Sequence, residues 1–220
     1  MTSGTVAVVA RDADSKSLGV AVLAALAGVG AYCPGARAGV GALSLQGEVA
    51  PQLRARLLDL LADGMGAEEA LSRVWEADPS RERRQVALID ARGGAAAATG
   101  EGVEGHAGHL VGDGLVVAGG HLVAMDVLDR AKEAFEAAVT EDLPERLMRA
   151  LEAAANAGGD QRGQRSAALL VVRHEGFPYA DLRVDDDAEA VRALRRLLDH
   201  HAERFLPGYE AWVDALRQDG

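Results

Sequence analysis

Strand-like and helix-like runs follow one another in blocks along this chain, and their order leaves few folds open. Thr5 to Ala10 (TVAVVA) is an apolar, β-branched run, and after the polar stretch ADSKS a second run starts at Gly19 (GVAVLA). Two such runs across a polar turn are a hairpin signature. Gly39 to Gln46 (GVGALSLQ) predicts a third strand. The apolar residues then move to helical spacing, first at Leu53, Leu57, Leu58, Leu60 and Leu61 and then at Ala67, Ala70, Leu71 and Val74, with Gly64 and Gly66 between the two helices. Strand signals return at Gln85 to Ile89, Ala95 to Thr99, His109 to Val111 and Leu115 to Val117, which predicts an antiparallel meander. Helices are expected over Ala124 to Val139 and Leu143 to Ala157, the second with Pro144 in its first turn, where a missing N–H costs nothing. Strands at Ser166 to Arg173 and Ala180 to Val184 follow, then a helix over Ala188 to Arg204 with Asp186 or Asp187 as its N-cap.

A doubly wound parallel sheet needs strict alternation of strand and helix, and this order lacks it. It predicts an α+β fold of two antiparallel sheets flanked by helices. With no repeat or low-complexity linker, residues 1–205 are expected to form a single domain. Residues 206–220 form a short amphipathic extension in which Tyr209, Trp212 and Leu216 dock on the body or on another subunit.

Charge and composition narrow the function. A formal net charge of -11 opposes binding to phosphate backbones or anionic membranes through a basic face, so neither nucleic acid nor membrane is an expected partner. The apolar run Leu18 to Cys33 is broken by Gly19, Gly28 and Gly30 and does not read as a membrane span. One cysteine makes no internal disulfide, nothing resembles a signal peptide, and the cytoplasm is the expected location. His106, His109 and His121, near Asp113 and Asp126, are the candidate metal cluster, but their spacing is unspecific and they read as loop or core histidines. GGHLVA at Gly119 to Ala124 lacks both a P-loop lysine and dinucleotide-fingerprint spacing, so no cofactor is expected.

The segment Gly158 to Leu170, GGDQRGQRSAALL, runs glycines and charges straight into a small-residue strand. It resembles the GGDxRGxQSAALL signature of domain-of-unknown-function family 1028. The resemblance extends through VARD at Val9 to Asp12, LGVAV at Leu18 to Val22, AGVGA at Ala38 to Ala42, Gln46, RQVALIDARG at Arg84 to Gly93, AGH at Ala107 to His109 and DLRVDDD at Asp181 to Asp187. These blocks are collinear over about residues 5 to 202. Members are similar in fold to N-terminal-nucleophile (Ntn) hydrolases, which implies a four-layer αββα sandwich whose mature chain begins with a Thr, Ser or Cys at the start of the first strand.

The chemistry explains that position. A hydroxyl is a poor nucleophile at neutral pH, whereas a free α-amine titrates near 8 and can act as the adjacent base. By register with VARD the implied nucleophile is Thr5, with Gly4 as the residue at the cleaved junction. Removal of Met1 to expose Thr2 is a second route, and a different start codon a third. The resemblance further implies catalytic roles for Asp12 and Ser166 beside Thr5, and substrate contacts for Gln46, Asp160, Arg162 and His109. Each also has a structural reading: Asp12 as a turn residue, Gln46 as a strand-end hydrogen bond, Asp160 with Arg162 as an ion pair pinning a glycine loop.

The chain departs from the family pattern chiefly at polar and aromatic positions. Ala24-Ala25 stands where members carry Ser-Lys, Ala50 to Arg54 replaces Asn-Pro-x-Tyr-Gly, His106 replaces a Trp, Ala118-Gly119-Gly120 replaces Gln-Gly-Asn, and Arg165 replaces a Gln. Lys16 and Arg165 are the cations that could replace the lysine. Two expectations follow: a hydrolase of a small amide or ureido C–N bond, and a catalytically degenerate sandwich kept for binding or assembly. In either case the resemblance implies a small-molecule ligand and a homodimer.

Overall fold

A computed structural model describes residues 2–3 and 5–219. The predicted hairpin is present: β2 (Thr5–Arg11) pairs antiparallel with β3 (Leu18–Ala24). Before it lies β1 (Thr2–Ser3), and after it come a short helix α1 (Val29–Tyr32), β4 (Pro34–Arg37), β5 (Gly41–Glu48), and the helices α2 (Pro51–Ala62) and α3 (Ala67–Ala77). Strands β6 (Arg84–Asp90), β7 (Ala95–Thr99), β8 (His106–Gly112) and β9 (Leu115–Leu122) precede α4 (Asp126–Ala137) and α5 (Leu143–Asn156). Strands β10 (Ser166–Val172) and β11 (Ala180–Val184) and helices α6 (Ala190–Arg204) and α7 (Leu206–Asp219) complete the described chain.

Two antiparallel sheets form. One is five-stranded, in the order β1-β5-β6-β7 with β4 also on β5, and the other is six-stranded, β11-β10-β3-β2-β9-β8. The central strands bury both faces, and the period-2 alternation of side chains sorts each residue to a layer. Val6, Val8 and Ala10 of β2 pack toward α4, α5 and α6, whereas Ala7 and Val9 meet Ala42, Ala87 and Ile89 of the opposite sheet. Leu43 and Leu45 of β5 and Val86 and Leu88 of β6 turn outward onto α2 and α3. The result is the expected four-layer αββα sandwich. Small residues, among them Ala7, Ala24, Ala42, Ala87, Ala118 and Ala168, share its inter-sheet layer with valines such as Val9, Val20, Val22 and Val116.

The expected meander is split. β6 and β7 belong to one sheet and β8 and β9 to the other, because the turn Gly100 to Gly105 carries the chain across the sandwich. The last helix of the predicted set starts at Ala190 rather than Ala188. Its N-cap is Glu189, with no side-chain cap, and Asp187 instead accepts the Glu189 N–H at 2.8 Å in the preceding turn. Helix α7 seats Tyr209 and Val213 in the same core as α5 and α6, and Trp212 lies 5.0 Å from Phe177, ring centre to ring centre.

The GGDQRG segment connects α5 to β10. Gly158 (φ 105°) and Gly159 (φ 55°) end α5 in the left-handed region, where a side chain would be strained, and their N–H groups return to the carbonyls of Ala155 and Ala154 at 3.0 Å each. Gly163 (φ 106°) closes the turn that delivers Ser166 to the start of β10.

Candidate active site

Thr5 opens β2 near the middle of the six-stranded sheet, fully buried, with Ala24 of β3 on one side in register and Gly120 of β9 on the other. Its parity with Ala7 and Val9 puts it on the inter-sheet face. Ser166 lies one strand further out, opposite Ala24. Across the layer, Gln46 at the end of β5 pairs in register with Gln85 at the start of β6. One end of the sandwich therefore gathers Thr5, Gln46, Gln85 and Ser166.

A hydrogen-bonded chain ties the two sheets together there. Ser44 Oγ donates to Gln46 Oε1 at 2.9 Å, and Gln46 Nε2 donates to Gln85 Oε1 at 2.6 Å and to the Thr5 carbonyl at 3.3 Å. Gln85 Nε2 donates to Thr99 Oγ1 at 2.8 Å and to the carbonyls of Gly108 and Gly119 at 2.9 and 3.0 Å. Thr99 Oγ1 lies 2.9 Å from His109 Nδ1. Burial of the imidazole holds the His109 pKa below its ordinary value, which favours the neutral ring. Nothing in the sequence singles out Gln85 or Thr99. Both sit at the end of an apolar strand, where polarity alone does not say which face is buried.

Ser166 is committed to the loop after β3. Its Oγ accepts the Val29 N–H at 3.1 Å and donates to the Leu26 carbonyl, fixing the path from β3 into α1. Asp160 is buried and holds Arg162 twice, Oδ1 accepting Nε at 3.1 Å and Oδ2 accepting Nη2 at 2.9 Å. Oδ1 also accepts the Arg162 N–H at 2.9 Å, so the pair pins the glycine loop ahead of Ser166.

The structure does not bring Asp12 to this cluster. It follows the far end of β2, about 23 Å from Thr5 at about 3.3 Å per residue, and accepts Ser15 Oγ at 2.6 Å and the Asp14 N–H at 3.1 Å within the hairpin turn. Lys16 lies in that same distant turn. Arg165 lies across from position 25, its N–H donating to the Ala24 carbonyl at 2.7 Å, but its side chain is exposed and donates to Asp186 at 2.7 Å. Gly4 lies outside the described residues, and Thr2 and Ser3 pair with Glu48 and Gly47, directly beyond Gln46. Among the described residues no three His, Cys, Asp or Glu side chains are placed to hold a metal ion, and no helix is long and apolar enough to cross a membrane. His121 (φ 54°) instead lies 3.5 Å from Glu104.

Residues 5–194 match the model of a family described as a family of unknown function, DUF1028. The chain is similar to a DUF1028 protein from Silicibacter pomeroyi, with 29% identity over 90% of this chain and 89% of that one and a TM-score of 0.84. It is also similar to eukaryotic HslV from Trypanosoma brucei, with 14% identity over 77% of this chain and 99% of that one and a TM-score of 0.48. Anbu (ancestral beta-subunit) from Yersinia bercovieri gives 11% identity, 92% and 96% coverage and a TM-score of 0.45. No curated protein matches the chain.

Proposed function

The chain belongs to the family of unknown function DUF1028, and we propose that this member is a latent Ntn-type hydrolase of a small amide or ureido C–N bond. The observation that carries the reading is the position of Thr5: the first residue of a central strand, buried between the sheets, with its carbonyl 3.3 Å from the Gln46 amide nitrogen. Attack of Thr5 Oγ1 on the Gly4 carbonyl would break the Gly4–Thr5 peptide bond, move the acyl group to the hydroxyl as an ester and leave Thr5 with a free amine; water would then hydrolyse the ester, release residues 1–4 as a carboxylate and restore the hydroxyl. That amine then serves as base for the same hydroxyl. The departing segment includes β1, which lies along the end of β5 beside Gln46, so processing would also open the space above the nucleophile. The Gln46 carboxamide, held by Ser44 and Gln85, spends both of its N–H donors on Gln85 and the Thr5 carbonyl, and so holds the backbone of the nucleophile in place at the rim of that space.

The enzyme in this reading works in the cytoplasm as a homodimer on a small molecule, with no cofactor. Asp160 and Arg162 act through the loop they brace, and Ser166 through the loop it ties. His109 supports Gln85 by way of Thr99. Asp12 is left to the hairpin turn.

A second reading is favoured by Ala24, which lies in register with both Thr5 and Ser166. The family resemblance expects Ser-Lys at 24–25. With two alanines there, the sandwich would serve binding or assembly instead. Release of ammonia or amine from a panel of small amides and ureides separates the two. The hydrolase reading expects turnover that is lost in Thr5→Ala and partly kept in Thr5→Ser. Turnover equal in the native chain and Thr5→Ala would overturn it.

A further inference from the structure

Away from Thr5, a cleft of about 460 Å³ opens between β4, at the edge of one sheet, and the β10–β11 edge of the other. That is the size range of small-molecule sites. Arg37, Arg54 and Arg183 line it against a single carboxylate, Asp181, in a chain whose formal net charge is -11. Asp59 pairs with Arg37 and Asp185 with Arg183, so what the cleft offers an anion is unspent guanidinium N–H donors rather than a net positive charge.

The arginines are placed there by the packing. Arg54 Nη1 donates to the carbonyls of Ala31, Tyr32 and Pro34 at 3.3, 3.1 and 2.7 Å, which fixes the guanidinium at the mouth of the cleft. Among the described residues no carboxylate pairs with it, and its Nε and Nη2 make no hydrogen bond. Arg183 uses Nη2 on Asp185, at 3.1 and 3.3 Å, and Arg37 uses Nη2 on Asp59 at 2.9 Å, leaving each with further donors. Two glycines make the lanes for these side chains. A Cβ at Gly35 would stand 2.9 Å from Arg54 Cδ, and one at Gly30 would stand 3.0 Å from Arg183 Cγ and 3.1 Å from its Nε.

From this arrangement we propose that the cleft binds a small dianion bearing carboxylate or phosphate groups, at a site separate from Thr5. Guanidinium forks match the oxygen spacing of both groups and form charge-assisted pairs with them. The inference does not rest on the hydrolase reading, because none of its residues takes part in the chemistry at Thr5.

Isothermal titration of the full chain at low ionic strength, with inorganic phosphate and separately with succinate, tests it. Chloride at matched ionic strength is the control. Saturable one-to-one binding of either anion, absent with chloride, supports the site and identifies which group it prefers. Arg183→Gln and Arg54→Gln are expected to weaken binding roughly tenfold each, the loss of one charge-assisted pair. Asp181→Asn is expected to tighten binding about threefold by removing the like charge, a change in the opposite direction that general damage to the fold would not produce. Circular dichroism establishes that each variant is folded. Should Arg54→Gln unfold, because it holds three carbonyls, Arg183→Gln and Asp181→Asn decide alone. No saturable heat from either anion, or an unchanged affinity in both Arg183→Gln and Asp181→Asn, would overturn the proposal.

Discussion

Replacing Gln85 with Leu tests whether the polar chain between the sheets supports the fold at the Thr5 end. Leu has a similar volume and fits an apolar strand, so the change removes hydrogen bonds without opening a large cavity. In the native chain Gln85 is buried, accepts from Gln46 and donates to Thr99 Oγ1 and to the carbonyls of Gly108 and Gly119. Thr99 keeps His109 and the Gln46 amide keeps the Thr5 carbonyl, but the side-chain donor of two backbone carbonyls is lost. At about 1.5 kcal/mol for each carbonyl that loses its side-chain donor, one buried and one partly buried, the loss is about 3 kcal/mol. That is a large part of the roughly 5 to 15 kcal/mol by which a domain is stable. Urea unfolding followed by circular dichroism is the assay, and with a slope of about 3 kcal/mol per molar the midpoint should fall by about 1 M. Ser44→Ala, which removes one bond at the end of the chain, should move it by less than half as much. A shift below about 0.3 M for Gln85→Leu would refute the reasoning, because an error of that size is within the extrapolation.

Other perturbations follow from single contacts. Asp78 and Arg84 form an ion pair with less than a tenth of either side chain exposed; Asp78→Asn leaves the guanidinium buried without its charge partner and should cost about 3 kcal/mol, a fall in melting temperature of roughly 6 to 12 °C. Burial pushes the Glu145 pKa up, but hydrogen bonds and charge from Arg195 and Arg149 outweigh it and leave the value below the ordinary one. A carboxylate depressed in the folded state stabilises the fold above its unfolded pKa of about 4.3 and loses that contribution as pH falls through the lower folded value. Glu145→Gln should therefore flatten the acid limb of a stability profile and leave its shape near neutrality unchanged. Burial lowers the His109 pKa, so its imidazole should titrate below about 6.5 by NMR, and a midpoint above that would contradict the buried placement.

The layers of the sandwich were largely legible from sequence, for a physical reason. β2, β6 and β9 bury both faces, so they read as continuous apolar runs, and α4 and α5 show the three-to-four spacing of a buried stripe. The two-residue β1 and four-residue β4 are too short to show a period. The crossing between β7 and β8 was hidden because each strand carries the same local signature whichever sheet it joins. Register with VARD located Thr5 at the start of β2, and the Gln46 position fell within reach of it. Asp12 shows the limit of that route: a collinear match to a family block says nothing about which end of a seven-residue strand faces the site. Gln85 and Arg54 escaped for a related reason. Their partners are 14 or more residues away in the chain, and only pairing across the layer or around α1 brings them into contact.

The central claim is that Thr5 becomes the first residue of the working chain. Intact-mass analysis of the purified protein, repeated through prolonged incubation, tests it most directly. The account predicts a species that begins at Thr5 and has lost Met1 to Gly4, while Thr5→Ala keeps the preceding residues. A native chain that still begins at Met1 or Thr2 at the end of the incubation would contradict it.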